Sequence, residues 1–293
     1  MMLVEATGRQ RSNAARRPRV EEDELREHVG RLSVPRNYWA QARENRRVGD
    51  RLVEQLSGWG YRAALQGPWR NVVAAPPGAG EVTLVCAHYD SVATTPGADD
   101  NGSGVAVMLA CARALAGRGA PVAFVAFNGE EDGLVGSTEL VESLKTWGGV
   151  TVRCAHVLEM VGFTSRVPGS QRSPLRLPVA LPDTGDFLGL LGAGPSNRVV
   201  GDIVRAAAVA TPELRVFGLK TYLGVDRLLP VLHRSDHSPF WKAGIPAVLW
   251  TDTAEFRNPH YHRGSDRPET LDYRFMRDVA ELVLASVSGA GGP

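Results

Sequence analysis

The sequence has little cysteine, almost no net charge and no long apolar run. Its three cysteines, an odd number in 293 residues, lie inside apolar stretches and predict buried free thiols rather than a disulfide framework. The 33 Lys and Arg residues nearly balance 32 Asp and Glu residues, so no global field attracts nucleic acid or an anionic membrane. No window reaches the ~18 apolar residues that a membrane-spanning helix needs. We therefore expect neither a nucleic-acid partner nor a membrane protein.

The first thirty residues lack the apolar core of a secretory signal and contain a basic run followed by an acidic run. This pattern is typical of a solvated terminus, although such a tail could also contact an acidic partner. We expect a cytoplasmic protein, while a mature secreted form without its leader would have the same pattern.

Short apolar runs alternate with amphipathic stretches along the chain. The apolar runs predict buried strands at 71–75, 82–88, 121–128, 154–160, 186–192 and 245–252. Helical periodicity lies between and around them, at 40–58, 103–117, 136–147, 196–210 and 269–287. This alternation predicts a mainly parallel sheet flanked by helices, which places a functional site beyond the carboxyl ends of the strands.

The predicted strand at 82–88 ends in His88, and Asp90 follows two residues later. In an extended chain this spacing puts both side chains on one side. Asp90 can then accept the second N–H of a metal-ligating imidazole. A single histidine at a strand end is often no ligand, so this pattern alone leaves both interpretations open.

Two adjacent acids, Asp99 and Asp100, follow a Pro-Gly pair and precede the helical stretch at 103–117. Two buried neighbouring carboxylates raise the pKa of one another, and a divalent cation removes that conflict. The alternative is helix capping, with Asn101 or Ser103 as the N-cap and the two acids favourable to the helix dipole.

Acidic residues also follow the strands at 121–128 and 154–160. Glu130 and Glu131 come directly after the first of these, either as a solvated turn or as a pair that divides metal binding from proton transfer. Glu159 lies inside the second apolar run. An unpaired buried carboxylate is strongly disfavoured, so Glu159 needs a nearby cation unless its strand is an edge strand that faces water.

The last group of candidate residues lies between positions 235 and 262. Asp236 and His237 precede a short helical segment, for which Ser235 or Asp236 could equally be the N-cap. His260 and His262 follow with a spacing of two residues.

In this order, the motifs resemble those of the zinc aminopeptidases of metallopeptidase family twenty-eight (M28). They are HYDS (88–91), PGADDNGSG (96–104), NGEEDGLVGS (128–137), LEMVG (158–162), SDHSPFW (235–241) and NPHYHRGSD (258–266). The resemblance covers roughly residues 33–288 and implies one three-layer α/β/α domain with a mixed, mostly parallel eight-stranded sheet. We expect residues 1–32 to form a flexible tail and residues 289–293 a short C-terminal tail.

The resemblance implies two Zn²⁺ ions with Asp100 as the carboxylate that bridges them. One ion would add His88 and Glu159, and the other would add Glu131 and His262. An aspartate is usual in the family where this chain has Glu159, whose longer side chain could change the metal spacing.

The implied activity is hydrolysis of the N-terminal peptide bond of a peptide with a free N-terminus. Glu130 would be the general base that takes a proton from a metal-activated water and passes it to the leaving amine. The free α-amino group needs acceptors, for which backbone carbonyls, Asp236 and Glu130 are candidates. Asp236 and His237 could instead support His262 from behind, or His237 could donate to the oxyanion.

Three other functions share parts of this pattern. A glutaminyl cyclase, an acyltransferase with one zinc, contains similar HYDS, GEE and DH patterns but has a tryptophan where this chain has Tyr261. A carboxypeptidase or amidohydrolase would need a basic residue for a substrate carboxylate, and Arg215, Lys220 and Arg227 lie in the long 211–234 connection. The third is a non-catalytic scaffold. We expect loops 162–185 and 211–234 to select the N-terminal residue of the substrate.

Overall fold

A nine-stranded mixed sheet forms the centre of the protein, for which the computed structural model describes residues 1–6, 19–76, 78, 80–144, 150–173 and 182–288. The strands are β1 (Met2–Glu5), β2 (Arg62–Gln66), β3 (Asn71–Ala75), β4 (Glu81–His88), β5 (Val122–Phe127), β6 (Thr151–Glu159), β7 (Phe187–Ala193), β8 (Arg215–Thr221) and β9 (Ala247–Thr251). Across the sheet their order is β1-β8-β7-β9-β6-β4-β5-β3-β2.

The four central strands β9, β6, β4 and β5 are parallel, and β7 and β8 are parallel to each other. Antiparallel pairs join β7 to β9 and add the strands at both edges. The mixed α/β sheet is therefore confirmed. It has one strand more, among the described residues, than the resemblance implied. The carboxyl ends of β4, β5 and β6 lie side by side, as expected for parallel neighbours.

Seven helices flank the sheet in the described ranges. They are α1 (Glu22–Leu32), α2 (Ala42–Gly58), α3 (Gly104–Leu115), α4 (Val135–Ser143), α5 (Ser196–Ala210), α6 (His237–Lys242) and α7 (Tyr273–Ser288). Apolar residues of α1, α2, α3, α5 and α7 share one core on one face of the sheet. Residues of α4 and α6 share a second core on the other face. This arrangement confirms the three-layer architecture.

The central strands are buried on both faces, which explains their uninterrupted apolar sequences. In β4, Val85 and Ala87 belong to the first core, whereas Leu84 and Cys86 belong to the second. The three cysteines are free and buried, as predicted. No helix in the described part of the chain is both long and apolar enough to cross a membrane.

Parts of the segment predicted as an N-terminal tail belong to the fold. β1 pairs antiparallel with β8, with Leu3 opposite Leu219. In α1, Leu25 and Val29 are completely buried against the first core, and Arg113 of α3 donates hydrogen bonds to Glu24. Positions 7–18 and 289–293 of the predicted tails lie outside the described residues, so the 33–288 boundary stays a prediction.

The burial of α1 gives a direct test of its contribution. Replacing Leu25 with Ala should lower the free energy of unfolding by about 2–5 kcal/mol, because a completely buried leucine leaves a cavity. Chemical denaturation measures this change. As a control on the same helix, the exposed Arg31→Ala should stay within about 0.5 kcal/mol of the parent. A Leu25→Ala change of the same small size would show that α1 is dispensable.

Candidate metal centre

His88 lies at the end of β4 with its side chain almost completely buried. Its Nδ1 is 3.3 Å from Oδ1 of Asp90, which lies on the same side of the chain as the i, i+2 spacing predicts. Its Nε2 is 3.4 Å from Oδ1 of Asp100 and 3.4 Å from Oε1 of Glu159. The imidazole therefore has a carboxylate on one nitrogen and two carboxylates around the other.

Asp100 occupies the turn that leads into α3, and its two oxygens face two different histidines. Oδ1 faces His88, and Oδ2 is 3.1 Å from Nε2 of His262. Asp266 fixes this turn from behind, because its carboxylate accepts the backbone N–H groups of Asp99 and Asp100. The structure thus places Asp100 between the two predicted ligand groups.

Asn101 connects the same turn to the end of β6. Its side-chain amide donates to the Leu158 carbonyl at 2.8 Å, and its Oδ1 accepts the backbone N–H groups of Met160 and Gly104. The last of these bonds satisfies the first backbone N–H of α3, whereas the N-cap position itself belongs to Ser103, whose side chain makes no capping bond. The hydroxyl of Ser103 bonds to the Asp99 carbonyl instead.

Glu130 and Glu131 follow β5 and turn toward the same centre. Asp90 accepts the backbone N–H groups of both residues at 3.3 and 3.2 Å. Oε2 of Glu131 is 3.4 Å from Nε2 of His262, and Glu130 has a carboxylate oxygen within reach of His88 and Glu159. Only the third acid, Asp132, is exposed. The pair is not a solvated turn.

Glu159 closes the first group from the end of β6. This strand lies between β4 and β9, so the alternative of an exposed edge strand is wrong. Its side chain is only 13% exposed. The hydroxyl of Ser235 donates to Oε2 of Glu159 at 2.7 Å and leaves Oε1 facing His88.

His262 completes the second group and is the most exposed member, at 38% of its side chain. The ring of Tyr261 stacks on it with centroids 3.8 Å apart and planes 20° from parallel. Tyr261 also accepts a hydrogen bond from Arg234. His260 lies outside the group and contacts Ser265.

Asp236 and His237 lie behind the centre and are completely buried. His237 donates from Nε2 to the Leu232 carbonyl at 2.8 Å, and burial lowers its pKa to about 4. A neutral ring with its proton on Nε2 has none on Nδ1, so His237 cannot donate to an oxyanion. Among the described residues no hydrogen bond joins either residue to His262. Neither Ser235 nor Asp236 makes the predicted side-chain cap on α6.

Burial and mutual repulsion perturb the carboxylates of the centre. Burial raises the pKa of Glu131 to about 9, with a further increase from Asp100. The pKa of Glu130 is also raised well above its usual range, by burial first, although His88 opposes that shift. Burial raises the pKa of Asp236 to about 7. This part of the protein holds more buried negative charge than its own cations neutralise.

The pKa values of His88 and Asp100 shift in opposite directions, so that both groups favour their charged forms. Burial alone would lower the pKa of His88, but the carboxylates of Glu159 and Glu130 raise it well above its usual value. Burial alone would raise the pKa of Asp100, but the imidazoles of His262 and His88 beside its carboxylate hold it below its usual value.

The donor set and its spacing fit zinc. Imidazole nitrogen and carboxylate oxygen are common zinc ligands, and two ligand atoms about 2.0–2.1 Å from a tetrahedral zinc lie about 3.3 Å apart. The distances from Asp100 to His88 and His262, and from these histidines to Glu159 and Glu131, are 3.1–3.4 Å. Moreover, His88 Nε2 and Glu131 Oε1 are buried without a hydrogen-bond partner. A cation satisfies these atoms and the excess charge together.

A completely buried arginine, Arg36, fixes the loop between His88 and Asp100. Its guanidinium donates to five backbone carbonyls, two before it in the chain and three in this loop: Leu32, Val34, Tyr89, Pro96 and Gly97. No sequence motif indicates this role of Arg36, because it lies more than fifty positions before the loop. Three further residues near the centre lie inside the sequence motifs, but their spacing does not indicate their contacts: Ser235, Asp266 and Asn258. The amide of Asn258 donates to Asp99 at 2.6 Å.

A cavity of about 410 Å³ opens beside the centre. Asp100, Glu130, Glu131, Glu159 and His262 line one end of it. The remainder is mostly apolar and includes residues of β7, β8, β9 and, unexpectedly, β1. Of the loops predicted to form it, 162–185 contributes Gln171 and 211–234 contributes a longer stretch; positions 174–181 lie outside the described residues.

Comparison with known proteins gives a consistent result. Residues 71–179 and 220–287 match the model of peptidase family M28. The chain is 34% identical over 231 residues to the uncharacterized protein YfbL of Escherichia coli, covering 74% of this chain and 70% of that protein. It is 34% identical over 215 residues to aminopeptidase YwaD of Bacillus subtilis, covering 71% of this chain but only 40% of the relative.

Solved structures agree on the fold. A zinc aminopeptidase from Bacillus subtilis superposes with a TM-score of 0.54 at 29% identity, over 75% of this chain and 50% of that one. The LapA aminopeptidase of Legionella pneumophila and a glutaminyl cyclase of Porphyromonas gingivalis both reach 0.70, over 92% of this chain and 71% and 98% of theirs. Their identities of 18% and 21% support the fold alone.

Arg36 provides a test of how the centre is held. Arg36→Lys should lower the free energy of unfolding by at least about 2 kcal/mol, because an ammonium has three N–H donors and leaves buried carbonyls unsatisfied. Urea denaturation measures the change. Arg31→Lys, at an exposed position, is the matched control and should be neutral. An equally small effect at both positions would contradict the assigned role.

Proposed function

Since the chain belongs to peptidase family M28, a family of peptide-bond hydrolases, we propose that it is a zinc aminopeptidase acting on peptides with a free N-terminus. The observation that supports this most is the arrangement around Asp100, whose two oxygens face two separate histidine and glutamate groups. The curated relatives named as aminopeptidases are mostly longer, since the chain spans 40% of YwaD and 57% of a probable leucine aminopeptidase of Trichophyton verrucosum.

The proposed centre holds two zinc ions. His88 and Glu159 would hold one, Glu131 and His262 the other, and Asp100 would contact both. Each group has three protein ligands, and a catalytic zinc site keeps a further position open. With three carboxylates on two divalent ions, the centre has a net charge of +1 and favours anions. Glu159 is the last residue of β6, and its Oε1 lies 3.4 Å from Nε2 of His88 at the end of the neighbouring strand β4.

When bound, the zinc ions supply Lewis acidity that polarises the peptide carbonyl and lowers the pKa of water. Glu130 accepts the proton of the attacking water and returns it to the leaving amine. Its environment suits both steps, because burial raises its proton affinity while the backbone contact to Asp90 fixes its position.

Other residues orient this machinery. Asp90 holds the Nδ1 side of His88 and the backbone of Glu130, so one carboxylate aligns a ligand with the base. Ser235 orients Glu159 by binding the oxygen that faces away from His88. For the substrate α-amino group, Asp236 is unsuitable because it is completely buried. Glu130 and backbone carbonyls are the remaining candidates.

Hydrolysis of a panel of aminoacyl-4-nitroanilides, measured together with bound metal, tests the proposal. We expect the zinc-loaded protein to release nitroaniline from substrates with a free amino group and not from their N-acetylated forms. A purified protein that binds no zinc and hydrolyses none of the panel would support a non-catalytic scaffold instead.

A glutaminyl cyclase shares the fold, and an N-terminal glutaminyl peptide separates the two reactions. The aminopeptidase cleaves the peptide bond and releases free glutamine. Ring closure with loss of ammonia and an intact peptide bond would identify a cyclase.

Glu130→Gln tests the general base. We expect zinc to stay bound while kcat falls by a factor on the order of 10²–10⁴, because the amide cannot accept the proton of water. Asp132→Asn, an exposed acid two positions away, is the matched control and should keep parental kcat. Near-normal turnover in Glu130→Gln would reject this residue as the base.

Asp100→Ala tests the shared ligand. Because both ions would lose a ligand at once, dialysed protein should retain less than one zinc per chain, whereas Asp132→Asn should retain the parental amount. Metal content by mass spectrometry, with circular dichroism to verify folding, measures the change. Two tightly bound ions in Asp100→Ala would overturn the assignment.

A further inference from the structure

The apolar part of the cavity is one face of the sheet, and the strand register shows how it extends from the centre. Glu159 of β6 pairs with Thr251 of β9, which pairs with Gly189 of β7. Gly189 in turn pairs with Phe217 of β8. All four residues line the cavity, so they form one continuous row that begins at the carboxylate of Glu159.

A second row runs beside the first on the same face. It contains one leucine from each of β9, β7, β8 and β1: Leu249, Leu191, Leu219 and Leu3. Four strand spacings separate β6 from β1, which corresponds to about 19 Å at ~4.8 Å each. The two rows define an apolar groove longer than the side chain of any natural apolar amino acid.

The groove is accessible over β9, β8 and β1, whereas Leu191 of β7 is buried. Leu249, Leu219 and Leu3 are only partly buried, although they are leucines within a sheet. Gly189 has no side chain in the middle of the floor, and the atoms nearest to a Cβ there would belong to Thr251 and Thr253, at 3.3–3.7 Å. Val231 and Leu232 also line the cavity.

The polar side chains of the cavity away from the centre bind one another. Gln171 exchanges hydrogen bonds with Thr253, and Arg234 pairs with Glu255. The hydroxyl of Thr251 accepts the backbone N–H of Thr253. These groups therefore have partners already and do not offer a row of hydrogen bonds to a ligand.

We propose that this groove binds an extended aliphatic chain on the acyl side of the scissile amide bond. A peptide laid across the leucine rows would leave its amide groups without partners, because the hydrogen bonds of a sheet lie in its plane and not on its face. An aliphatic chain has no such groups and gains from leaving water. The groove is continuous with Glu159, so the carbonyl of such a substrate lies at the centre.

The proposal rests on the hydrolase function above and names its substrate class. In the reaction the amide C–N bond breaks and the oxygen of water bonds to the acyl carbon. One proton of that water goes to the leaving amine, and the other is released when the acid product ionises to a carboxylate. Two sources have this chemistry: an amino acid with a long alkyl side chain, and a fatty acyl group without an α-amino group.

A series of linear 2-aminoacyl-4-nitroanilides, from 2-aminobutanoyl to 2-aminodecanoyl, tests the length of the groove. We expect kcat/KM to increase about fourfold for each added methylene, the fold-change equivalent to ~0.8 kcal/mol. Rates that level off or fall beyond the length of leucine would overturn the proposal while leaving the aminopeptidase intact. Decanoyl-4-nitroanilide, measured in parallel, distinguishes the fatty acyl source from the amino acid source.

Substitutions on the two faces of the sheet locate the chain. Gly189→Leu should flatten the length dependence by filling the floor, and Leu219→Trp should do the same from the next strand if the first variant does not fold. Val4→Ala is the control, because Val4 neighbours Leu3 in β1 but packs on the other face, toward Gly218. A length dependence that survives both groove variants would place the chain elsewhere.

Calorimetry on the metal-free protein separates this proposal from the catalytic one. The ammonium of a 1-aminoalkane pairs with the buried carboxylates, and its alkyl chain enters the groove. We expect 1-aminooctane to bind on the order of 10² times more tightly than 1-aminobutane, with a more negative heat-capacity change. Gly189→Leu should remove this difference. Equal affinities in the parent protein would refute the groove even if every nitroanilide is hydrolysed.

Discussion

The site depends on one constraint: the two carboxylate oxygens of Asp100 must face two histidines, His88 and His262, that are far apart in the sequence. His88 reaches it from a central strand, and His262 from a loop close to the last helix. Neither distance survives a shift of the turn before α3. Asp266 fixes this turn through its backbone, Asn101 connects it to β6, and Arg36 holds its first half. Much of the polar structure around the centre therefore serves to keep one carboxylate in place.

That constraint also explains the electrostatics. Folding brings Glu130, Glu131, Glu159 and Asp100 into a small buried volume, where each ionised group opposes the next. Arg36 is completely buried nearby, but its guanidinium hydrogen bonds are to backbone carbonyls, so it acts on the carboxylates only through space. A divalent cation can neutralise the group without separating its members. Folding therefore creates repulsion among these carboxylates, and a bound cation would relieve that repulsion.

The sequence predicted the central strands well, because β4, β5, β6 and β9 are buried on both faces and read as apolar runs. It follows that the residues after those runs, from His88 to Glu159, were predicted to meet. The edge strands β1 and β2 and the strand β8 were missed, since short or half-exposed strands show little periodicity. Contacts such as Ser235 with Glu159, or Leu3 with Leu219, depend on loops and pairings between distant positions that no local pattern encodes.

The two halves of one sheet face are treated differently, and the centre lies at their boundary. Over β4, β5 and β6 the face is covered by α4 and α6, which form a closed core. Across β9, β8 and β1 the same face contains leucines that are only partly buried. Glu159 is the last residue of β6, and its neighbour Thr251 is the last residue of β9. The candidate metal centre therefore lies where the closed core ends and the groove begins. The covered core holds the proposed ligands rigidly, and the uncovered apolar surface beside them leaves space for a substrate. Both parts belong to one sheet, because its strands continue past the helices α4 and α6 that cover this face.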